Sequence, residues 1–306
     1  MYDVDIKSRF TFKCLARIAM VIITNDMGEL DERVMRRNFA QVLKSGKIDI
    51  KNEYDKIYKL FYGKDTRDQK SIAEIVSNHF LEYDFRGTCL TFEEFNKRHG
   101  FNFEVKPQTY NEMEFVRFIE YVYNLIYFLN SRLLFHDMGK YFYLNHIESV
   151  VEEIGYMSAY DDGFTIFIPK DNNVIAVAES EVIPDNLSYK LLEYNHHSMK
   201  GNIEAKREIL VKLADVLESH DKKLNGINQT FKSDLFQLLN SCNIRHNNKE
   251  KSSKQYKKYI SELSDTELER IYDEIYQMCL LAFMQLEHAD RKDWMDEIKR
   301  NINNAK

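Results

Sequence analysis

Helix-breaking residues are nearly absent from this chain, which has 10 Gly and 3 Pro among 306 residues. Leu, Ile, Lys, Glu and Tyr are abundant in their place, so the sequence predicts long helices and a mostly α fold. With 44% hydrophobic and 30% charged residues, the chain can bury a sizeable core, which excludes collagen-like, low-complexity and fully disordered readings. The charge balance is mildly acidic, 43 Lys+Arg against 49 Asp+Glu for a net −6. That argues against a wholesale nucleic-acid coat but leaves room for a local basic patch.

Cys14, Cys89, Cys242 and Cys279 stand far apart with no CxxC pair. Neither a zinc ribbon nor a disulfide framework is suggested, and a reducing, cytoplasmic setting is expected. The longest apolar run, Ile18 to Ile23, is too short to span a bilayer, and the N-terminus lacks a charged region followed by a cleavage site. A soluble, non-exported protein without membrane contact is expected.

Capping boxes place several helix starts: Thr91 with Glu94, Thr109 with Glu112, and Ser264 with Glu267. After Thr109, the spacing of Met113, Val116, Phe118, Ile119, Val122, Tyr123, Ile126 and Leu129 predicts one long, mostly buried helix. Shorter helices are expected at about 6–24, 30–44, 52–62, 67–83 and 141–154. Between Gly155 and Ala178 the pattern changes. The runs Tyr156–Tyr160, Phe164–Ile168 and Val174–Val177, broken by an Asp-Gly and an Asn-Asn turn, predict a small β-hairpin or three-stranded meander. Pro184 suits a helix first turn, and helices are expected at about 184–197, 202–222, 229–241, 253–263, 265–288 and 291–303. The expected organisation is two helical bundles joined by the hairpin: an N-terminal domain 1–154, a connector 155–183 and a C-terminal bundle 184–306.

The first constellation that can carry chemistry is Arg245, His246, Asn247 and Asn248, followed by Lys249, Lys251, Lys254, Lys257 and Lys258. It offers a fixed cation, a group titrating near neutrality and amide donors in one place. Arg can hold a phosphodiester bidentately while His moves a proton during attack by a ribose hydroxyl. The structural alternative is that Arg245 pairs with an acid of a neighbouring helix and the Asn residues cap helix ends.

Over roughly residues 145–290 the order of elements resembles the C-terminal part of AbiJ-like abortive-infection proteins. The resemblance rests on a helix ending at Gly155 and Tyr156, the hairpin, a helix around Leu191 to Tyr194, the helix Ile209 to Glu218, and the Arg-polar motif at Arg245 and His246. It implies a HEPN domain, a helical bundle that often dimerises and often cuts RNA without a metal or cofactor, in a role of antiphage defence. The HEPN signature closes with a second His, whereas positions 250–252 hold Glu250, Lys251 and Ser252. In the catalytic version, a metal-independent endoribonuclease, Arg245 would clamp the phosphate, His246 would act as acid/base, Asn247 and Asn248 would orient the sugar-phosphate, and the five lysines would attract RNA. The rival reading is a non-catalytic helical protein that senses a phage product or holds a defence-system partner.

A second constellation, His136 and Asp137 before Gly139 and Lys140, with His196, His197 and Asp215 downstream, is similar to the core of HD-domain phosphohydrolases. That similarity implies a divalent metal activating water, a chemistry imidazole and carboxylate ligands suit. The upstream ligand His of that family has no counterpart at 106–112, and the hairpin interrupts what would be continuous helix. In the structural alternative His136 and Asp137 cap the long helix and Gly139 stops it.

The 20 Phe, 19 Tyr and single Trp read as packing rather than as a base-stacking platform. Leu268, Ile271, Tyr272, Ile275, Tyr276, Met278, Cys279, Leu281, Ala282, Phe283 and Leu286 make an apolar surface wider than one stripe. Such a helix is either central to its bundle or half of a homodimer contact. No Walker-type loop, GxGxxG, HExxH or GxSxG occurs, which makes nucleotide motors, Rossmann dehydrogenases, zincins and α/β-hydrolases poor readings.

Overall fold

A computed structural model describes residues 48–64, 69–129, 139–161 and 163–304, all within one compact unit, Lys47–Lys306. The helices expected at 6–24 and 30–44, and the pair His136 and Asp137, lie outside the described residues. Those residues form thirteen α-helices and a single two-stranded antiparallel sheet, so the fold is mostly α. Among them no helix is long and apolar enough to cross a membrane.

The first half comprises α1 (Ile50–Tyr62), α2 (Ile72–Asn78), α3 (Phe92–His99), α4 (Glu112–Phe128) and α5 (Gly139–Glu153), then β1 (Tyr156–Asp161) and β2 (Phe164–Pro169). The central helix α4 buries Phe115, Val116, Phe118, Ile119, Val122 and Ile126, as its spacing predicts. Its start differs from expectation, because Asn111 rather than Thr109 accepts the first-turn amide of Glu114. Around α4 the aromatics form a core, with Tyr54 stacked on Phe118 at 4.3 Å and Phe103 5.0 Å from Tyr121. Helix α2 is shorter than the expected 67–83 and gives way to a 3-10 turn at Phe80–Glu82; its own start is a complete Ser71–Glu74 capping box. Gly139 opens α5 instead of stopping the long helix, which ends at Phe128.

The hairpin turns at Gly163, whose φ of 95° favours glycine, and pairs Asp161 with Phe164. A third strand does not form. The run Val174–Val177 lies in α6 (Asn172–Ala178), because Asp171 accepts the amides of Asn173 and Val174 and thereby caps a helix. Val174, Val177 and Ala178 are then buried at helical spacing.

The second half continues with α7 (Asp185–Glu193), α8 (Ile203–Ser219), α9 (Asp221–Ile227), α10 (Gln229–Ser241), α11 (Lys258–Glu262), α12 (Asp265–Asp290) and α13 (Lys292–Asn304). Pro184 sits one residue outside α7 as its cap, and the helix expected at 253–263 is confined to α11. The Ser264–Glu267 capping box is complete. Helix α12 is central to its bundle, burying Leu268, Tyr272, Ile275, Tyr276, Cys279, Phe283 and Leu286 against α8, α10 and α6. The interior forms two clusters, one from Tyr54 to Phe167 and one from Val174 to Leu286. The two core clusters divide between Phe167 and Val174, within the segment 155–183, and Phe167 of the hairpin belongs to the first core.

Candidate functional site

Glu120 and Asn124, one turn apart on α4, are the non-aromatic polar residues in an otherwise apolar stretch. Both reach the free edge of β2. Asn124 donates to the Thr165 carbonyl at 2.7 Å and accepts the Thr165 amide at 2.9 Å, and Glu120 Oε2 accepts the Phe167 amide at 2.7 Å. An edge strand is thereby satisfied by side chains instead of a further strand.

From the opposite side two consecutive imidazoles, on the loop between α7 and α8, address the same carboxylate. His196 Nε2 lies 2.8 Å from Glu120 Oε2 and His197 Nε2 3.3 Å from Glu120 Oε1, with the two rings 3.9 Å apart. His196 Nδ1 in turn meets the Ser198 hydroxyl at 2.8 Å. The three side chains are 14%, 6% and 16% exposed for Glu120, His196 and His197. Burial works to raise the Glu120 pKa, but the hydrogen bonds and charges of the two imidazoles outweigh it and hold the carboxyl below its ordinary value.

Both imidazoles line an open cleft of about 270 Å³, whose walls also include Tyr156, Pro169, Tyr194, Lys206, Asp273 and Tyr276. Lys206 is buried and held by Glu269 at 2.9 Å and Asp273 at 2.7 Å. The Tyr194 hydroxyl donates to Asp273, and its ring stacks on Tyr276 at 4.0 Å. Burial first, then the Asp273 charge, push the Tyr194 hydroxyl well above its ordinary pKa, which leaves it a neutral donor. The cleft therefore combines an ammonium, a phenol and two imidazoles at the junction of several elements.

The Arg245 constellation lies elsewhere, on the loop between α10 and α11. Arg245 forms an ion pair with Glu218 of α8, as the structural alternative anticipates. His246 and Asn247 are exposed, and Asn247 donates to Glu250 at 2.9 Å. Asn248 is fully buried. Its Oδ1 accepts the Asn243 amide at 2.8 Å, and its Nδ2 donates to the Gln255 carbonyl at 2.6 Å. Its amide group is thus engaged by the loop's own backbone rather than presented beside His246. Lys249 is 3.5 Å from Asp265 and Lys258 is 3.7 Å from Glu262. Lys251, Lys254 and Lys257 are exposed and form no ion pair among the described residues.

Of the HD-type set, the structure brings His196 and His197 together, but with Glu120 as their carboxylate; Asp215 is exposed on α8 and outside that cluster. Glu120 belongs to none of the sequence constellations. The available signal was an acid inside a helix that is otherwise buried, since such a group demands a partner. Compared with protein-family models, curated proteins and solved structures, the chain matches none.

Proposed function

We propose that this chain is an RNA-binding protein of the abortive-infection kind, which contacts RNA through the 245–258 loop of its C-terminal bundle. The observation that carries the reading is the trio Lys251, Lys254 and Lys257, exposed and without ion pairs on a loop that the buried Asn248 ties to its own backbone. Exposed cations without ion pairs attract a polyanion, and exposed Tyr259 close by in sequence offers a stacking face. The setting in antiphage defence, and a homodimer, rest on the resemblance to AbiJ-like proteins.

The pairing of Arg245 with Glu218 favours binding without cleavage, because a guanidinium held by a carboxylate is not poised to clamp a scissile phosphate. A second, ribonucleolytic reading is favoured by the exposure of His246 directly after Arg245. Bulk tRNA incubated in EDTA with the full chain, beside an Arg245→Ala/His246→Ala variant, separates the two. The binding reading expects the tRNA to be retarded in a gel and left intact by both proteins. Cleavage by wild type that the variant loses would replace it with the ribonuclease reading. An outcome with neither retardation nor cleavage by wild type would remove both.

A further inference from the structure

The geometry points to a second site, independent of the RNA reading: Glu120, His196 and His197 form a three-ligand site for a divalent first-row transition metal, open to the cleft. Ligand atoms about 2.0–2.1 Å from a tetrahedral zinc stand about 3.3 Å from one another. The two imidazole Nε2 atoms lie 2.8 and 3.3 Å from the Glu120 oxygens, and one ligand atom from each side chain falls within 4.8 Å of the others. Side-chain rotations and a change of tautomer at each imidazole separate this cluster from a coordination sphere.

The ligands also come with orienting partners. The Phe167 amide fixes Glu120 Oε2, leaving Oε1 for a metal, and the Ser198 hydroxyl meets His196 Nδ1 at 2.8 Å. A neutral imidazole has one donor and one acceptor nitrogen. Without metal each Nε2 that hydrogen-bonds Glu120 is a donor. On metal binding that proton sits on Nδ1 instead, where His196 donates it to the Ser198 oxygen and gives up the 3.3 Å bond Nδ1 accepts from the Ser198 amide, and the Nε2 lone pair turns to the ion. No net proton need be released by this tautomer change. His196 and His197 line the cleft, which gives an ion a path to the cluster from that side. Two imidazoles and one carboxylate suit zinc, iron(II) or manganese(II).

Cobalt(II) is the probe. Tag-free full-length protein, stripped with EDTA and dialysed, is titrated with Co²⁺ while visible absorption and isothermal heat are recorded. One equivalent is expected to bind with a visible d–d band and to be displaced by Zn²⁺. Glu120→Gln, which keeps an acceptor for the Phe167 amide, and His197→Ala are both expected to lose that band while retaining the wild-type circular dichroism spectrum. Ser198→Ala should weaken the affinity about 10–100-fold without abolishing it. Absence of stoichiometric binding by wild type, or undiminished binding by folded Glu120→Gln and His197→Ala, would overturn the proposal and leave the trio as a carboxylate–imidazole clamp. If His197→Ala does not fold, a Zn²⁺-dependent rise in wild-type Tm that Glu120→Gln lacks serves as the deciding readout.

Discussion

Asn243 and Asn248 clasp each other: the side-chain oxygen of each accepts the other's backbone N–H, at 3.0 Å for the Asn248 amide and 2.8 Å for the Asn243 amide. Asn243 adopts a positive φ of 61°, a conformation Asn tolerates better than most residues. Its carbonyl accepts from Arg207 at 2.7 Å and from the Tyr272 hydroxyl at 3.2 Å, which fastens the clasp to α8 and α12. The lysines of the loop thus project from a fixed base. Asn248→Ala leaves the Asn243 amide and the Gln255 carbonyl without partners and is expected to destabilise the protein by about 1–3 kcal/mol. Urea unfolding checks this; an unchanged midpoint would mean that the loop is held by other contacts.

Asn124 has the same role for the hairpin. Asn124→Ala removes both bonds to Thr165 and exposes the β2 edge, with an expected loss of about 1–3 kcal/mol. Amide hydrogen exchange at Thr165 should accelerate more than exchange in α12. Uniform acceleration throughout would indicate global destabilisation instead.

The sequence predicts the helices best where apolar residues repeat over many turns, as in α4, α8, α10 and α12, or where a cap marks the start, as at Ser264. It misleads at Val174–Val177, where β-branched residues suggest a strand and the Asp171 cap makes a helix. A local propensity yields there to capping and burial. The candidate sites were legible to a smaller degree. Arg245 and His246 stand out by composition, yet whether the guanidinium is available depends on Glu218, which is 27 residues away in sequence. Glu120 and His196 are separated by 76 residues, and no spacing rule connects them before the hairpin and the α7–α8 loop bring them together.

Glu269 gives the fold an acid-sensitive tie. Burial opposes its ionisation, but the Gly201 amide at 2.8 Å and the Lys206 ammonium at 2.9 Å prevail and hold its pKa below the ordinary 4.5. A carboxyl whose folded pKa lies below its unfolded one adds stability above the unfolded value and loses it as pH falls through the folded one. Wild type is therefore expected to lose stability as pH drops below 4.5. Glu269→Gln should be less stable than wild type at neutral pH and show a shallower acid loss. Denaturant midpoints measured across the acid range check the sign, and parallel curves for the two proteins would refute this role for Glu269.

Trp294 is the single tryptophan and is 62% exposed on α13, where Ile298 and Ile302 follow it at four-residue steps and are also exposed. Its fluorescence is expected to be that of a solvent-facing indole, readily quenched by acrylamide. A blue shift and loss of quenching as protein concentration rises would mean that a second copy covers this face.

The most direct test of RNA binding by the 245–258 loop is the salt dependence of binding to a labelled single-stranded RNA, measured by fluorescence anisotropy. Each phosphate neutralised contributes about 0.7 to the slope of log affinity against log salt. Replacing Lys251, Lys254 and Lys257 by alanine is therefore expected to weaken binding and to flatten that slope by up to about 2.1. A folded variant that binds with the affinity and slope of wild type, or a wild-type chain that binds no RNA even at low salt, would contradict the account.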